Sequence, residues 1–247
     1  MSEGSVASVS WSEHAADRSP MVLRSRSRSK QQMEVIVEAA KRLIARSGSR
    51  FTTQELVKEA GVAIQTFYRH FAGKDQLLIA IMEDLISTNI ARFEEEARHL
   101  PNPLDRLRYY VLRALEGARD DEHGGGSPRF VTTEHWRLYQ AYPQEMEQAT
   151  QAFPDLVARE LRAAREAGLV TVADPEQSAK IVQMLVQAAF HHYALAGPTA
   201  EAESIGERVW QFCLSGLGVS PPEAGSASIP GTPAAEAAHG TPSRPSG

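Results

Sequence analysis

The stretch FTTQELVKEAGVAIQTFYRHFAGK, residues 51–74, decides the fold of this chain. Thr52 and Glu55 have the spacing of a capping box, in which each side chain accepts a hydrogen bond from the other residue's backbone N–H at a helix start. Gly61 predicts the end of that helix, because glycine adopts a left-handed conformation without a Cβ penalty. A second short helix is expected over about residues 63–71. Two short helices joined by a tight turn form a helix-turn-helix, whose second helix enters the DNA major groove.

The predicted second helix has two distinct faces. At 100° per residue, Phe67 and Phe71 lie on its inner face, whereas Gln65, Tyr68 and Arg69 lie on its outer face. A glutamine side chain can bind adenine through two hydrogen bonds, and an arginine can bind guanine in the same way. We therefore predict that Gln65 and Arg69 contact the base edges.

The segment GVAIQTFYRHFAGK, residues 61–74, resembles the signature of the TetR family of bacterial transcriptional repressors. The resemblance covers about residues 35–85 and depends on Gly61, Val62, Thr66, Phe67, Tyr68, His70, Phe71 and Lys74. It implies phosphate or groove contacts from Thr66, Tyr68, His70 and Lys74, joined by Thr52 or Thr53. The family position of Ile64 points it at the bases, whereas periodicity turns it inward, so we expect a mixed edge position. Ala63 departs from the family pattern, because its side chain cannot cap the helix that it precedes.

The charge of the chain is divided between its two ends. Residues 20–74 hold eleven Lys and Arg and four Asp and Glu, a net +7, whereas the whole chain carries a net −5. A basic segment on an acidic body fits a protein that presents one face to a polyanion. Chance clustering of charges is the alternative, but the positive segment coincides with the helix-turn-helix.

Both ends of the chain have compositions typical of disorder. Residues 1–29 are rich in serine and poor in large apolar side chains, so we expect a disordered basic arm. Within it, RSRSRSK at residues 24–30 fits either a flexible arm on DNA phosphates or a solvated charge run. Residues 219–247 form a Pro/Ala/Gly/Ser tail that should also be disordered.

Helical periodicity continues through the remaining chain, and no alternating segment indicates a sheet. A first helix is expected over about residues 30–46, and a long helix over 74–98. Five more helices are expected, at about 104–119, 130–139, 144–167, 174–196 and 201–217. The predicted fold is therefore all-α. A three-helix DNA-binding domain at 30–76 precedes a larger helical effector-binding and dimerisation domain at 77–218.

The last two predicted helices indicate a subunit interface. The helix at 174–196 is apolar around most of its circumference, so it must be covered on both sides. The final helix adds a possible seam of Ile205, Val209, Phe212 and Cys213. In proteins of the resembled family these helices pair as a four-helix bundle, which predicts a homodimer on a pseudo-palindromic operator. A buried core helix in a monomer is the alternative.

An effector pocket is expected among aromatic residues in the middle of the body. A largely apolar cavity with a few polar anchors would bind a small molecule, and ordinary core packing is the alternative. The candidates are Tyr109, Phe130, Trp136, Tyr139, Phe153 and His191. No metal or cofactor is expected, because these residues lack Cys or carboxylate partners at metal-ligand spacing.

Several classes of protein are disfavoured. No apolar run reaches transmembrane length, and the N-terminal residues lack the order of a signal peptide. Cys213 is the single cysteine, which agrees with a cytoplasmic location. No catalytic motif appears, so we expect no enzyme. The sequence predicts a repressor that binds double-stranded operator DNA and is released by a small molecule. An activator and a ligand-independent DNA-binding protein of the same fold remain alternatives.

Overall fold

A computed structural model describes residues 20–118, 128–196 and 200–219. These residues form ten α-helices, with a short 3-10 turn at Gly48–Arg50. The helices are α1 (Pro20–Ser47), α2 (Thr53–Ala60), α3 (Ile64–His70), α4 (Lys74–Ala97), α5 (Pro103–Glu116), α6 (Pro128–Ala141), α7 (Pro143–Thr150), α8 (Ala152–Glu166), α9 (Pro175–Ala196) and α10 (Ala200–Gly216). Within the described residues, the β-structure consists of one isolated antiparallel bridge between Val170 and Val219. The predicted all-α fold is confirmed.

Local signals position α2 and α3 as the sequence predicted. The Thr52 backbone N–H donates to Glu55 Oε2 at 2.7 Å, and the Glu55 N–H donates to Thr52 Oγ1 at 3.2 Å, which completes the capping box. Gly61 ends α2 with a φ of 65°. Only glycine adopts this left-handed conformation at little cost, so the turn between the two helices depends on it.

The first helix begins ten residues earlier than predicted, at Pro20 rather than near Lys30. The expectation of disorder is therefore wrong for residues 20–29, whereas residues 1–19 lie outside the described part. Proline is favoured in the first turn of a helix, where its missing N–H costs nothing. Arginine, leucine and methionine in this segment are good helix formers, which offsets the alternating serines.

One predicted helix, at residues 144–167, is divided into α7 and α8 at Gln151. Pro154 explains the break, because it has no N–H to donate to the Thr150 carbonyl and its ring crowds that carbonyl. The Thr150 hydroxyl also donates to the Met146 carbonyl at 2.9 Å, a contact that often bends helices.

The described residues enclose two apolar cores that share α4. One core joins α1, α2, α3 and the first half of α4 to Phe130 and Leu138 of α6 and Met146 of α7. The other joins the second half of α4 to α5, α8, α9 and α10. Helices α6 and α7 of the body therefore pack directly into the core of the helix-turn-helix domain.

None of the described helices has the length and apolarity needed to cross a bilayer.

Candidate nucleic-acid interface and effector cavity

The outer face of α3 is exposed, and its inner face is anchored in the core. Phe67 is completely buried, and its ring lies 5.7 Å from that of Phe71. Gln65 and Arg69 are exposed and make no hydrogen bond or ion pair with other described residues, and Tyr68 is 56% exposed. The buried phenylalanines thus fix the rotation of α3, and the side chains predicted to contact bases point outward.

Ile64 and Ala63 lie at the start of this helix. Ile64 is 36% exposed, which is compatible with the expected edge position, and its contact with bases stays a prediction. Ala63 provides no side-chain cap, but its carbonyl accepts from the Thr66 N–H at 2.9 Å. Helix entry therefore depends on the Gly61 turn and on burial of Phe67 rather than on a polar cap.

Two of the predicted DNA contacts already have partners inside the protein. The Thr52 hydroxyl donates to Glu55 Oε2 at 2.9 Å, and His70 Nε2 lies 3.2 Å from Gln32 Oε1 on α1. Thr53 and Thr66 are half-buried. The bond from the Thr52 backbone N–H lowers the pKa of the Glu55 carboxyl, which keeps the capping box charged. The DNA-contact roles of these residues stay predictions.

Lys74 has a structural position that the sequence did not reveal. Its ammonium donates to the carbonyls of Ser49 and Phe51, the latter at 2.8 Å, and lies 4.5 Å from the centre of the Phe51 ring. Burial lowers the pKa of Lys74. The side chain ties the start of α4 to the turn that precedes α2. Every residue has a backbone carbonyl, so the sequence does not show which carbonyls accept from Lys74. Only a phosphate contact was therefore predicted for this lysine.

Replacing Lys74 with methionine should lower the free energy of unfolding by about 2 kcal/mol, because two carbonyls lose a charged donor. Chemical denaturation measures this change, and Lys58→Met, which removes an exposed lysine of α2, is the matched control. A loss no larger than that of the control would contradict the structural role. The phosphate contact is tested separately, since it requires the salt slope of DNA binding to fall by about two in a dimer, one for each Lys74.

A cavity of about 470 Å³ lies among α4, α5, α6, α8 and α9. Its wall is largely apolar, formed by Met82, Leu85, Ile86, Ile90, Phe93, Ala114, Pro128, Val131, Phe153, Val186 and Phe190. Its polar lining consists of Lys41, Thr88, Asn89, Arg92, Arg113, Glu116, His135, Thr150, Gln183, Gln187 and His191. This size and mixture are typical of sites for small organic ligands.

Of the residues predicted for the pocket, Phe153 and His191 line this cavity. Phe130 belongs to the core shared with the helix-turn-helix domain, and the Tyr109 hydroxyl donates to Glu96 at 2.6 Å. Trp136 and Tyr139 are 55% and 42% exposed, outside the lining. The arginines of the lining were missed, because an arginine on an amphipathic helix usually belongs to its solvated face.

Two histidines form the polar part of the lining nearest to α6. The rings of His135 and His191 lie 4.9 Å apart. Burial lowers the pKa of both, and that of His191 falls to about 4, so both imidazoles are neutral at neutral pH. His135 is paired with the Gln187 amide at 2.6 Å. In the described part of the chain, no three potential metal ligands are grouped together.

Helix α6 connects the cavity to the DNA-binding domain. Val131 and His135 line the cavity, while Arg137 on the same helix donates to Asp75 at the start of α4 and to Glu134, both at 2.7 Å. Glu134 is only 4% exposed. The bond from Arg137 lowers the pKa of Asp75. We refer to Asp75, Arg137 and Glu134 as the α4–α6 bridge.

Comparison with known proteins assigns the first part of the chain. Residues 36–81 match the family model described as bacterial regulatory proteins, tetR family. The repressor KstR2 of Mycobacterium tuberculosis is 27% identical over 82 residues, which cover 33% of this chain and 41% of that protein. The nucleoid occlusion factor SlmA of Haemophilus influenzae is 31% identical over 74 residues, 30% of this chain and 34% of that protein. The match thus spans about two fifths or less of these curated relatives.

Solved structures share the fold over most of the chain. FadR of Thermus thermophilus, in complex with lauroyl-CoA, has a TM-score of 0.62 at 22% identity and covers 81% of this chain and 100% of its own. FadR of Bacillus subtilis, in complex with stearoyl-CoA, has a TM-score of 0.59 at 17% identity, covering 74% and 98%. RolR in complex with resorcinol has a TM-score of 0.60 at 18% identity, covering 78% and 91%.

A helix with an exposed outer face and an inner face anchored in the core is the arrangement of a helix-turn-helix DNA-binding domain. Over residues 36–81, the helix-turn-helix domain is similar to the DNA-binding domain of the TetR family of bacterial regulatory proteins.

Proposed function

We propose that this protein is a homodimeric repressor that binds pseudo-palindromic operator DNA and leaves it when a small molecule fills the cavity. The observation that carries the proposal is the outer face of α3, where Gln65 and Arg69 are exposed and have no partner among the described residues. Unpaired amide and guanidinium groups on a rigid helix can bind base edges in the major groove. A protein with this function would act in the cytoplasm, where bacterial operator DNA lies.

The domain boundaries that we propose differ in one respect from a simple division after residue 76. Helix α4 spans that boundary, and α6 and α7 contribute to the core of the helix-turn-helix domain. A change of packing around the cavity therefore reaches the DNA-binding domain through side chains that are already in contact. An effector that binds more tightly to a conformer with the wrong spacing of recognition helices would release the operator.

Exposed apolar side chains on α9 and α10 support the homodimer. On α9, Ile181, Met184 and Leu195 are 47%, 57% and 52% exposed, and on α10 Phe212 is 67% exposed. Residues 181, 184 and 195 follow helical spacing and form one stripe. Cys213, predicted at the seam, is instead buried within its own chain. Pairing of these two helices with their copies would cover the stripe.

The double variant Met184→Asp/Phe212→Asp should be a monomer at micromolar concentration, where the wild type should sediment as a dimer. Two carboxylates in an apolar interface would lose their hydration without gaining partners. Sedimentation equilibrium measures the mass. Met21→Asp, at a methionine that is 78% exposed on α1, is the matched control and should stay dimeric. A monomeric wild type, or a dimeric double variant, would contradict this interface.

The similar structures favour a ligand-responsive protein, since two FadR proteins and RolR were solved with ligands in this fold. SlmA is named a nucleoid occlusion factor and not a transcriptional repressor, so a DNA-binding protein without a small-molecule effector stays the alternative. Transcription in vitro from a promoter that overlaps the bound sequence tests the regulatory sign. We expect the full chain to lower the transcript, and a raised transcript would identify an activator.

A further inference from the structure

Among the buried side-chain polar atoms of the described residues, those without a hydrogen-bond partner are all nitrogens of residues that line the cavity. Three buried side-chain polar atoms lack a hydrogen-bond partner there: Arg92 Nε, Arg113 Nε and His191 Nε2. All three belong to residues that line this one cavity. Buried polar groups without partners are rare and costly, and their confinement to one cavity indicates that a ligand completes them.

The tautomer of His191 follows from its surroundings. His191 is 7% exposed and its Nδ1 lies 2.9 Å from the hydroxyl of Thr132, which is 1% exposed. The Thr132 hydroxyl has no other hydrogen-bond acceptor among the described residues, so it is satisfied when it donates to Nδ1. The proton of the neutral imidazole then resides on Nε2. The third unpaired atom is therefore a donor, like the two arginine Nε–H groups.

The charges of the lining distinguish Arg92 from the other cations. Lys41 is paired with Glu38 and Asp84. Arg113 pairs with Glu116, and its Nε lies 3.7 Å from Glu96 Oε2, too far for a hydrogen bond. Arg92 donates to the neutral amide of Asn89 at 3.1 Å and makes no ion pair with any described residue. Among the described residues, the positive charge of Arg92 is therefore uncompensated, and it lies beside a largely apolar wall.

We propose that the effector is an organic carboxylate with an apolar chain or ring. Its anionic head accepts hydrogen bonds from Arg92 and Arg113, and its apolar body contacts Phe93, Phe153 and Phe190. This inference rests on the proposed function only in assigning the cavity to the effector. Carboxylate oxygens satisfy guanidinium donors and neutralise the charge of Arg92, which a neutral hydroxyl group cannot do.

Calorimetric titration of the full chain with matched probe pairs tests the proposal. Decanoate and phenylbutanoate are compared with decanol and phenylbutanol, which have the same apolar bodies without the charge. At least one carboxylate should bind roughly tenfold to a hundredfold more tightly than its alcohol. Equal binding of acid and alcohol, or no binding of any probe, would overturn the proposal. Decanoyl-CoA should bind more weakly than decanoate, and tighter binding would overturn the assignment of a free carboxylate.

The Arg92→Met variant tests which group recognises the head. Its preference for acid over alcohol should fall below about threefold, while alcohol binding persists and shows that the cavity is intact. Arg98→Met removes an exposed arginine that directly follows α4 and pairs with Glu95, and it should keep the full preference. A preference that survives in Arg92→Met would overturn the proposal. Such a result, with sequence-specific DNA binding retained, would leave the regulator function standing, whereas loss of specific DNA binding in the wild type would refute that function itself.

Discussion

The Arg69→Ala variant should bind the operator at least about thirtyfold more weakly than the wild type and bind random duplex almost equally well. A bidentate contact from arginine to guanine contributes about 1–3 kcal/mol of discrimination, and a dimer makes the contact twice. The Arg69 side chain is exposed and has no partner among the described residues, so its removal breaks no hydrogen bond or ion pair of the folded protein there. Gln65→Ala should also weaken operator binding, but by a smaller factor, because an amide contact lacks the charge of a guanidinium.

Fluorescence anisotropy on operator and scrambled duplexes at one salt concentration measures both affinities. Arg50→Ala, at an exposed arginine of the 3-10 turn, is the matched control for loss of one positive charge. Equal losses on operator and scrambled DNA would assign Arg69 to phosphate contact and remove it from base recognition.

The Arg137→Met variant should keep its operator affinity but lose most of its response to the effector. Coupling between ligand and DNA sites typically changes affinity by 5- to 150-fold, and we expect the variant to retain less than about twofold. The reason is the α4–α6 bridge, in which Arg137 joins the cavity helix to Asp75 at the start of α4. Lys74, beside Asp75, holds the turn that precedes α2, so the contacts are continuous from cavity to helix-turn-helix.

Because Glu134 is buried, the experiment uses Arg137→Met together with Glu134→Gln, which avoids leaving an unpaired carboxylate in the core. Operator affinity is measured with and without saturating decanoate. Arg129→Met is the matched control, since Arg129 lies on the same helix but donates to the Leu195 carbonyl of α9. If decanoate lowered the operator affinity of the double variant by the same factor as in the wild type, the α4–α6 bridge would not carry the coupling.

The sequence predicted those features that depend on neighbouring residues. Thr52, Glu55 and Gly61 determine α2 and its end through contacts within a few positions, and Phe67 anchors α3 as periodicity required. Pro154 indicated the break between α7 and α8, but the long apolar pattern on both sides of it led to the prediction of one continuous helix. The start of α1 was missed because a serine-rich composition indicates disorder more strongly than the helix-forming residues between the serines indicate order.

Features that depend on tertiary contacts were beyond the sequence. The partners of Lys74 are backbone carbonyls 23 and 25 residues away. Arg92 and Arg113 have the spacing of solvated helix faces, and only the packing of five helices places them at one cavity. Aromatic residues were better candidates on composition alone, yet Trp136 and Tyr139 lie outside the lining. The packing of the helices decides where a cavity lies and which side chains face it, and the residue pattern of a single helix does not show this.

Selection of bound duplexes from a random DNA library by the full wild-type chain tests the central claim most directly. We predict an enriched sequence made of two inverted half-sites, because two copies of α3 related by a dimer axis meet two successive major grooves about 34–36 Å apart. Recovery of a single half-site, or of no enriched sequence at all, would contradict a dimeric, sequence-specific regulator.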